Sequence, residues 1–331
     1  MRLIASSLAA LLCASPAFAA PKVITSVVPV HAIVSAVMGD VGQPELLLSG
    51  SMSEHRATFT AAQITNMGKA DLVFIIGHGL EAKLAQISGS EAVNGKAFIE
   101  LSEAPGVKTL PIREGGAWEA HDHSHGEEGH DGHGHKKKKA GHDHDHDHGK
   151  EAHAEGVLRF DPHVWLDPEN AKAMALAAAA ELSKADPANA ATYDANANTF
   201  AASLDKTSAE ISASLGPIKD KPYIVFHDAY QYFEVRYGLN AAGSISDISA
   251  QAPSAKRLRE VRKKIKNVKA ACVFREPQYD SKVVSTVVEG SSAREGVLDP
   301  LGAELVPGPQ AYQQLLVNLA ASLKACLGGS A

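Results

Sequence analysis

The sequence predicts an α/β protein in which two (β/α) lobes are joined by one long, rigid helix. Short apolar segments rich in β-branched residues alternate with helical patterns in both halves of the chain, as in parallel βα units. Between the halves, residues 189–215 contain neither proline nor glycine, which predicts a helix of ~28 residues and ~42 Å. Two packed helices with a break near residues 195–199 are the alternative.

The predicted elements follow this division in order. In the N-terminal lobe, residues 20–186, we expect strands at 23–28, 45–48, 72–76 and 97–101, and helices at 32–38, 61–67, 80–86 and 170–184. The connecting helix, residues 187–215, begins with Asp186 as N-cap and Pro187 at its first position. In the C-terminal lobe, residues 216–331, we expect strands at 223–226, 271–274 and 297–298, and helices at 229–236, 254–266, 282–289 and 312–327. The helix at 254–266 is amphipathic and basic.

The composition excludes several classes of protein. Hydrophobic residues make up 45% of the 331 residues, which is typical of a globular chain rather than a disordered one. Only the N-terminus carries a long apolar run, so the chain is not a polytopic membrane protein. The formal net charge of −6 provides no basic field for nucleic acid, and no nucleic-acid partner is expected.

The first 19 residues have the pattern of a cleaved signal peptide. After Arg2 comes an apolar run of about 12 residues, too short for the ~20 that span a bilayer. Pro16 ends the run, and Ala17-Phe18-Ala19 matches the small-x-small cleavage pattern. The alternatives are a membrane anchor or a buried first helix; a lipoprotein anchor on Cys13 is disfavoured by the bulky Leu12 before it. We expect export into an oxidising compartment.

The cysteines agree with export. Cleavage removes Cys13 and leaves Cys272 and Cys326, an even pair that predicts one disulfide in an exported protein. It would close a loop of about 55 residues and stabilise the fold by about 4 kcal/mol on the chain-entropy model. Two buried free thiols are the alternative.

Histidine is concentrated in one segment. From residue 121 to 153, 11 of the 33 residues are His, mixed with Asp, Gly and a run of Lys at 136–139. The segment has almost nothing apolar to pack, which predicts a mobile loop. The composition favours an accessory metal-binding role over a merely solvated insertion. Its sites should be weaker than a preformed one, because binding must also order the loop.

Five His lie outside the segment, and three of them follow strands or precede a helix. His55 comes after the second predicted strand, His163 lies just before the helix at 170–184, and His227 ends the strand at 223–226. Ligands of open α/β sheets bind at the carboxyl ends of strands, and neutral imidazole suits Zn²⁺. A metal bound by all three would bridge the lobes; capping or packing roles are the alternative. His31 and His78 could also border the cleft.

Six short motifs make the chain similar to the periplasmic zinc-binding proteins of bacterial high-affinity zinc-uptake ABC transporters, a branch of the metal-binding solute-binding proteins. They begin at Ser53, Ala70, Asp161, Phe226, Glu276 and Leu298 and read SEH, ADLV, DPHVWL, FHDAY, EPQ and LDPLG. The resemblance covers nearly the whole mature chain, and the His-rich insertion is a mark of its zinc members. It implies two lobes, a rigid connecting helix and a metal in the cleft.

The resemblance also implies the ligands. Its three His ligands fall on His55, His163 and His227, while manganese members carry Glu at position 227. Imidazole is softer than carboxylate, so His there argues for zinc. Two residues are candidates for the fourth ligand. Glu54 matches a carboxylate that some zinc members use, and Asp299 matches the carboxylate that completes the site in manganese members. Glu54 is favoured.

The resemblance implies a function too: capture of Zn²⁺ in the periplasm and delivery to an inner-membrane ABC permease with its ATPase, by a monomeric protein that is not an enzyme. Asp161 and Asp228 could orient the neighbouring imidazoles or cap helices. A secreted metal buffer or chaperone shares every local feature. A zinc hydrolase is less consistent, because the sequence has no HExxH or GxSxG motif.

Overall fold

The computed structural model describes residues 20–50, 52–77, 79–93, 95–113, 118 and 158–329. The predicted signal peptide at 1–19, the His-rich segment at 121–153 and His78 lie outside the described residues. Within the described ranges, no helix combines the length and apolar character needed to cross a membrane.

The N-terminal lobe is built on a parallel sheet of four strands in the order β2-β1-β3-β4. Its strands are β1 (Val23–Thr25), β2 (Glu45–Leu46), β3 (Leu72–Ile75) and β4 (Ala97–Glu100). Its helices are α1 (Val28–Met38), α2 (Ala61–Met67), α3 (Ala82–Ser88) and α4 (Pro168–Ala185). All four residues of β3 are buried, as its uninterrupted apolar sequence predicts.

After the connecting helix α5 (Ala190–Leu215), the C-terminal lobe repeats this arrangement, with sheet order β6-β5-β7-β8 and every pair parallel. Its strands are β5 (Tyr223–Val225), β6 (Ala241–Ser244), β7 (Cys272–Arg275) and β8 (Arg294–Val297). Its helices are α6 (Gln231–Tyr237), α7 (Ala255–Val268), α8 (Lys282–Val288) and α9 (Ala311–Leu327). The predicted fold class is therefore confirmed.

Helix α5 is continuous, so the alternative of two packed helices is wrong. It packs against α1 and α4 on the side of the first lobe and against α9 on the side of the second. Tyr193, Ala197, Phe200 and Leu204 lie on its buried side at spacings of three and four residues, as expected of an amphipathic helix. One hydrophobic core thus runs from the first sheet along α5 to the second.

The second sheet is covered on both faces. Tyr223 and Val225 of β5 point to the core shared with α5 and α9. Ile224, between them, packs on the opposite face with Val261 of α7 and Val284 of α8. This alternation follows from the two-residue period of a strand, and it places α7 on the outer side of the C-terminal lobe.

The predicted disulfide is present between Cys272 and Cys326. It joins the first residue of β7 to the last helix of the chain, 54 positions away.

Most boundaries differ from the sequence prediction by a few residues, with the connecting helix beginning at Ala190 instead of residue 187, and three differences have a local cause. Strand β1 ends at Thr25 and α1 already begins at Val28, because Pro29 occupies the first turn of the helix, where proline is favoured. Strand β6 was not predicted, because its sequence, Ala-Ala-Gly-Ser, contains no β-branched or aromatic residue. Helix α6 begins two residues later than expected, at Gln231, so residues 227–230 form a loop at the end of β5.

Candidate metal centre

His227 lies two residues beyond the end of β5 and is held by Glu276, which follows the neighbouring strand β7. The Glu276 oxygens lie 2.7 and 2.9 Å from His227 Nδ1, and one of them also accepts from the Tyr230 hydroxyl at 3.1 Å. Because a carboxylate only accepts hydrogen bonds, we place the ring proton on Nδ1. Once its own proton is lost, His227 Nε2 can offer a lone pair to the cleft.

His163 is held in the same way by a carboxylate two positions earlier. Asp161 Oδ1 lies 2.8 Å from His163 Nδ1 and accepts from the His163 backbone N–H at 3.0 Å. Both residues are completely buried. The expectation that Asp161 orients an imidazole is consistent with this geometry, and Nε2 again faces the cleft.

Glu54 and His55 lie together in a single helical turn, Glu54–Arg56, after β2. The C-terminal lobe holds this turn from across the cleft. The Ser53 and Tyr279 hydroxyls are hydrogen-bonded at 3.0 Å, and the Arg56 guanidinium donates to the Ala250 carbonyl at 2.7 Å.

The structure brings together His55, His163, His227 and Glu54, and one ligand atom of each lies within 4.8 Å of the others. The Nε2 atoms of His163 and His227 are 3.3 Å apart, and Glu54 Oε1 lies 3.6 Å from His55 Nε2 and 4.0 Å from His163 Nε2. A tetrahedral Zn²⁺ with bonds near 2.0–2.2 Å requires ligand separations of about 3.4 Å. The four atoms are thus close to the positions that such an ion needs.

Burial and neighbouring charges separate the pKa values of the group. Burial raises the pKa of Glu54 to about 7, although His227 opposes the rise. Burial lowers the pKa of His163 well below its usual value, and the positive charges of His227 and Arg113 lower it further. Burial also disfavours the charged form of His227, but the Glu276 carboxylate outweighs it and raises the pKa of His227 to about 9.

Glu54 Oε1 is buried and has no hydrogen-bond partner among the described residues. An unpaired buried carboxylate oxygen is costly, and the cost is relieved when a cation binds it.

Two predicted carboxylates behave differently from Glu54. Asp299 is not one of the four converging residues; its oxygens accept from the Gln278 amide and from three backbone N–H groups, those of residues 301–303. It therefore caps the turn after β8. Asp228 does not orient His227, which corrects that expectation, because it forms an ion pair with Arg113 and Glu276 takes its place.

His31 does not join the group. Its ring nitrogens lie 3.2 Å from the Pro44 carbonyl and 3.3 Å from the Ser35 hydroxyl, so it joins α1 to the segment before β2. Sequence reasoning missed the part that Glu276 and Tyr279 play. The signal that could have found Glu276 is its place directly after a buried strand that neighbours β5.

The comparisons with known proteins agree with this geometry. Residues 23–326 match the family described as zinc-uptake complex component A, periplasmic. The high-affinity zinc uptake system protein ZnuA of Brucella abortus (strain 2308) is 46% identical over 305 residues, which cover 92% of this chain and 91% of that protein. The protein of the same name from Paracoccus denitrificans is 39% identical over 312 residues, 93% of this chain and 92% of the relative.

Solved structures share the fold. A crystal structure of ZnuA superposes with a TM-score of 0.72 at 23% identity, over 93% of this chain and 99% of the other. The periplasmic zinc-binding protein TroA from Treponema pallidum gives a TM-score of 0.72 at 21% identity, with 93% and 99% covered. Residues 23–326 match this family, and a relative is 46% identical over 92% of the chain. The chain therefore belongs to the periplasmic zinc-uptake complex component A family.

Proposed function

We propose that this chain is a periplasmic solute-binding protein that captures Zn²⁺ in the interlobe cleft and delivers it to the permease and ATPase of an ABC importer. His55, His163, His227 and Glu54 are the proposed ligands. The observation that carries the proposal is the convergence of their ligand atoms, from loops of both lobes, to within 4.8 Å.

The donor set favours zinc as the cargo. Three imidazoles and one carboxylate match the nitrogen and oxygen ligands of tetrahedral zinc sites. Two imidazoles have a carboxylate on the second ring nitrogen, an arrangement typical of zinc-bound histidine. Manganese prefers oxygen ligands, which this group supplies once only.

The relatives support the transport role. Proteins up to 46% identical are named as high-affinity zinc uptake system proteins, and we carry that role over to this chain with its periplasmic location and its transporter partners. A monomer fits a site whose four ligands come from one chain.

The donor set argues against one of the two rival functions, the zinc hydrolase. A catalytic zinc needs an open coordination position for water, and here Glu54 is placed to fill the fourth one. A binding protein needs no such position. A metal buffer without a transporter would use the same site, and transport assays with the partner permease separate it from the proposed carrier.

The fourth ligand is tested by a matched pair of substitutions. We expect Glu54→Gln to weaken zinc binding by about 10–100-fold, because it replaces a charged ligand by a neutral amide. Asp299→Asn should leave affinity within about threefold. Competition titration against a chromophoric chelator measures both variants. Weakened binding in Asp299→Asn with unchanged Glu54→Gln would reverse the assignment.

We further propose that residues 1–19 are removed on export and that the segment 121–153 binds additional, weaker zinc. Deleting that segment should lower the total zinc bound while the tight transition in a calorimetric titration stays. Loss of the tight transition would instead place a cleft ligand in the segment.

A further inference from the structure

Helix α7 carries a concentration of positive charge that the proposed zinc site does not use. Between residues 256 and 269 the chain has eight basic side chains and one acidic one, Glu260, in a protein whose net charge is −6. The basic residues are Lys256, Arg257, Arg259, Arg262, Lys263, Lys264, Lys266 and Lys269.

The fold explains only one of these charges. Val261 and Ile265 are buried against the second sheet, so the opposite side of α7 faces outward. Arg257 is the exception on the buried side, where its guanidinium donates to the carbonyls of Ser244 and Ile245. The other basic residues lie outside the hydrophobic core.

Few of the outward charges are neutralised. Lys256 approaches Glu260 at 4.0 Å, and Arg262 approaches Glu289 at 3.6 Å. Of the basic residues between 256 and 269, five form no ion pair with any described residue, namely Arg259, Lys263, Lys264, Lys266 and Lys269. Like charges one helical turn apart, such as those of Arg259 and Lys263, repel one another, so helix stability alone does not account for these five residues. We refer to them as the basic face.

We propose that the basic face binds the anionic phospholipid headgroups of a membrane surface. Positive charges near an anionic leaflet strengthen binding about fivefold each, and this attraction needs no shape complementarity. It is screened beyond ~8 Å at physiological salt, so the acidic remainder of the protein does not cancel it.

The surroundings favour a lipid surface over a protein partner. Protein interfaces are centred on buried apolar or aromatic side chains. The large hydrophobic side chains that are exposed in the described residues lie elsewhere, at Met52, Leu176, Val235, Val306 and Val317. The basic face therefore has charge without the apolar centre that a protein partner would require.

This inference goes beyond the proposed zinc capture and does not depend on it. Its link to transport is that a carrier held near the membrane meets its permease more often. The basic face is on the outer side of the C-terminal lobe, whereas the four candidate ligands lie in the cleft. Changes to the face should therefore leave the zinc site unaltered.

The test is sedimentation of the full mature chain with vesicles of phosphatidylcholine, with and without phosphatidylglycerol. A chelator keeps zinc from bridging the protein to lipid. The variant combines Arg259→Gln, Lys263→Gln and Lys266→Gln, three exposed residues on one side of α7. The control combines Lys69→Gln, Lys219→Gln and Lys324→Gln, which remove the same charge from exposed positions elsewhere.

We expect binding to the anionic vesicles only, loss of binding at high salt, and a decrease of about a hundredfold in the α7 variant. The control should stay within about threefold, and both variants should keep the parent's melting temperature and zinc affinity. No binding to anionic vesicles, or equal loss in the control, would overturn the proposal. Binding only to neutral vesicles that carry the transporter would also overturn it and assign the face to a protein partner.

Discussion

The two lobes have the same strand order, but different residues follow the two central strands of each sheet. In the C-terminal lobe, the crevice between the ends of β5 and β7 holds His227 and its partner Glu276. In the N-terminal lobe, the corresponding ends of β1 and β3 are followed by Ser26 and Gly77. There the buried Glu81 accepts from the Gly77 N–H at 3.0 Å, and burial raises its pKa to about 7.

The difference teaches that topology offers a binding crevice without determining its chemistry. Both crevices lie at the carboxyl ends of parallel strands, where ligands of open sheets bind. Only the C-terminal crevice supplies one of the four converging residues. The N-terminal lobe supplies Glu54, His55 and His163 from a turn after β2 and from the segment before α4. One lobe thus provides a ligand at the end of a strand, and the other provides ligands on loops.

The largest expected effect comes from removing the strand-end ligand. We expect His227→Ala to weaken zinc binding more than the roughly 10–100-fold that follows loss of a ligand-orienting partner. The substitution removes a ligand and leaves the buried Glu276 without its imidazole. His55→Ala should cost less, because it leaves the buried Glu276 paired with its imidazole, His227. Chelator competition measures the zinc affinity of both variants. An equal loss of affinity in the two would contradict the proposed difference between the lobes.

The pH dependence of zinc affinity tests the role of the strand-end ligand His227. Zinc must displace a proton from His227, whose pKa in the metal-free site is about 9. Apparent affinity should therefore fall about tenfold per pH unit below 9, and more steeply below about 7, where Glu54 also takes up a proton. His163, whose pKa is lowered, adds no dependence in this range. An unperturbed His has a pKa near 6.5, which predicts that zinc affinity is constant from pH 9 to 7. Chelator competition across this pH range distinguishes a constant affinity from the expected fall of about tenfold per pH unit.

Glu276 can be tested against Asp228. We expect Glu276→Gln to weaken binding by about 10–100-fold and to flatten the pH dependence between 9 and 7, because the cause of the raised pKa of His227 is gone. Asp228→Asn, in which Arg113 still contacts Glu234, should leave affinity within about threefold. A pH profile of binding for each variant checks this. Unchanged pH dependence in Glu276→Gln would contradict the role of Glu276.

The smallest effect on the metal is expected from the disulfide, which is found in the C-terminal lobe between β7 and α9. Replacing both Cys272 and Cys326 by Ser should lower the free energy of unfolding by about 4 kcal/mol, from loop-closure entropy. Zinc affinity should stay within about threefold, because the bridge is at the start of β7 and Glu276 follows its end. Chemical denaturation and chelator competition measure the two quantities separately.

Local patterns in the sequence were enough for much of this protein. The alternation of strand and helix patterns predicted the two lobes, because helices and strands bury residues at different spacings. The absence of proline and glycine from residues 189–215 favoured one connecting helix. Apart from Cys13 in the predicted signal peptide, the chain has a single pair of cysteines, which allowed one disulfide. Position after a strand or before a helix made His55, His163 and His227 candidate ligands, and the family resemblance implied that they bind the metal.

Only the tertiary structure decided which carboxylates contact the three candidate histidine ligands. Asp228 is next to His227 in sequence, yet Glu276, 49 positions away, reaches its ring from the neighbouring strand. Asp299 uses its oxygens on backbone N–H groups, while Glu54 keeps one oxygen unpaired beside the imidazoles. The direction of a side chain at the end of a strand depends on how strands pair and loops pack, and neither is encoded in the local pattern of residues.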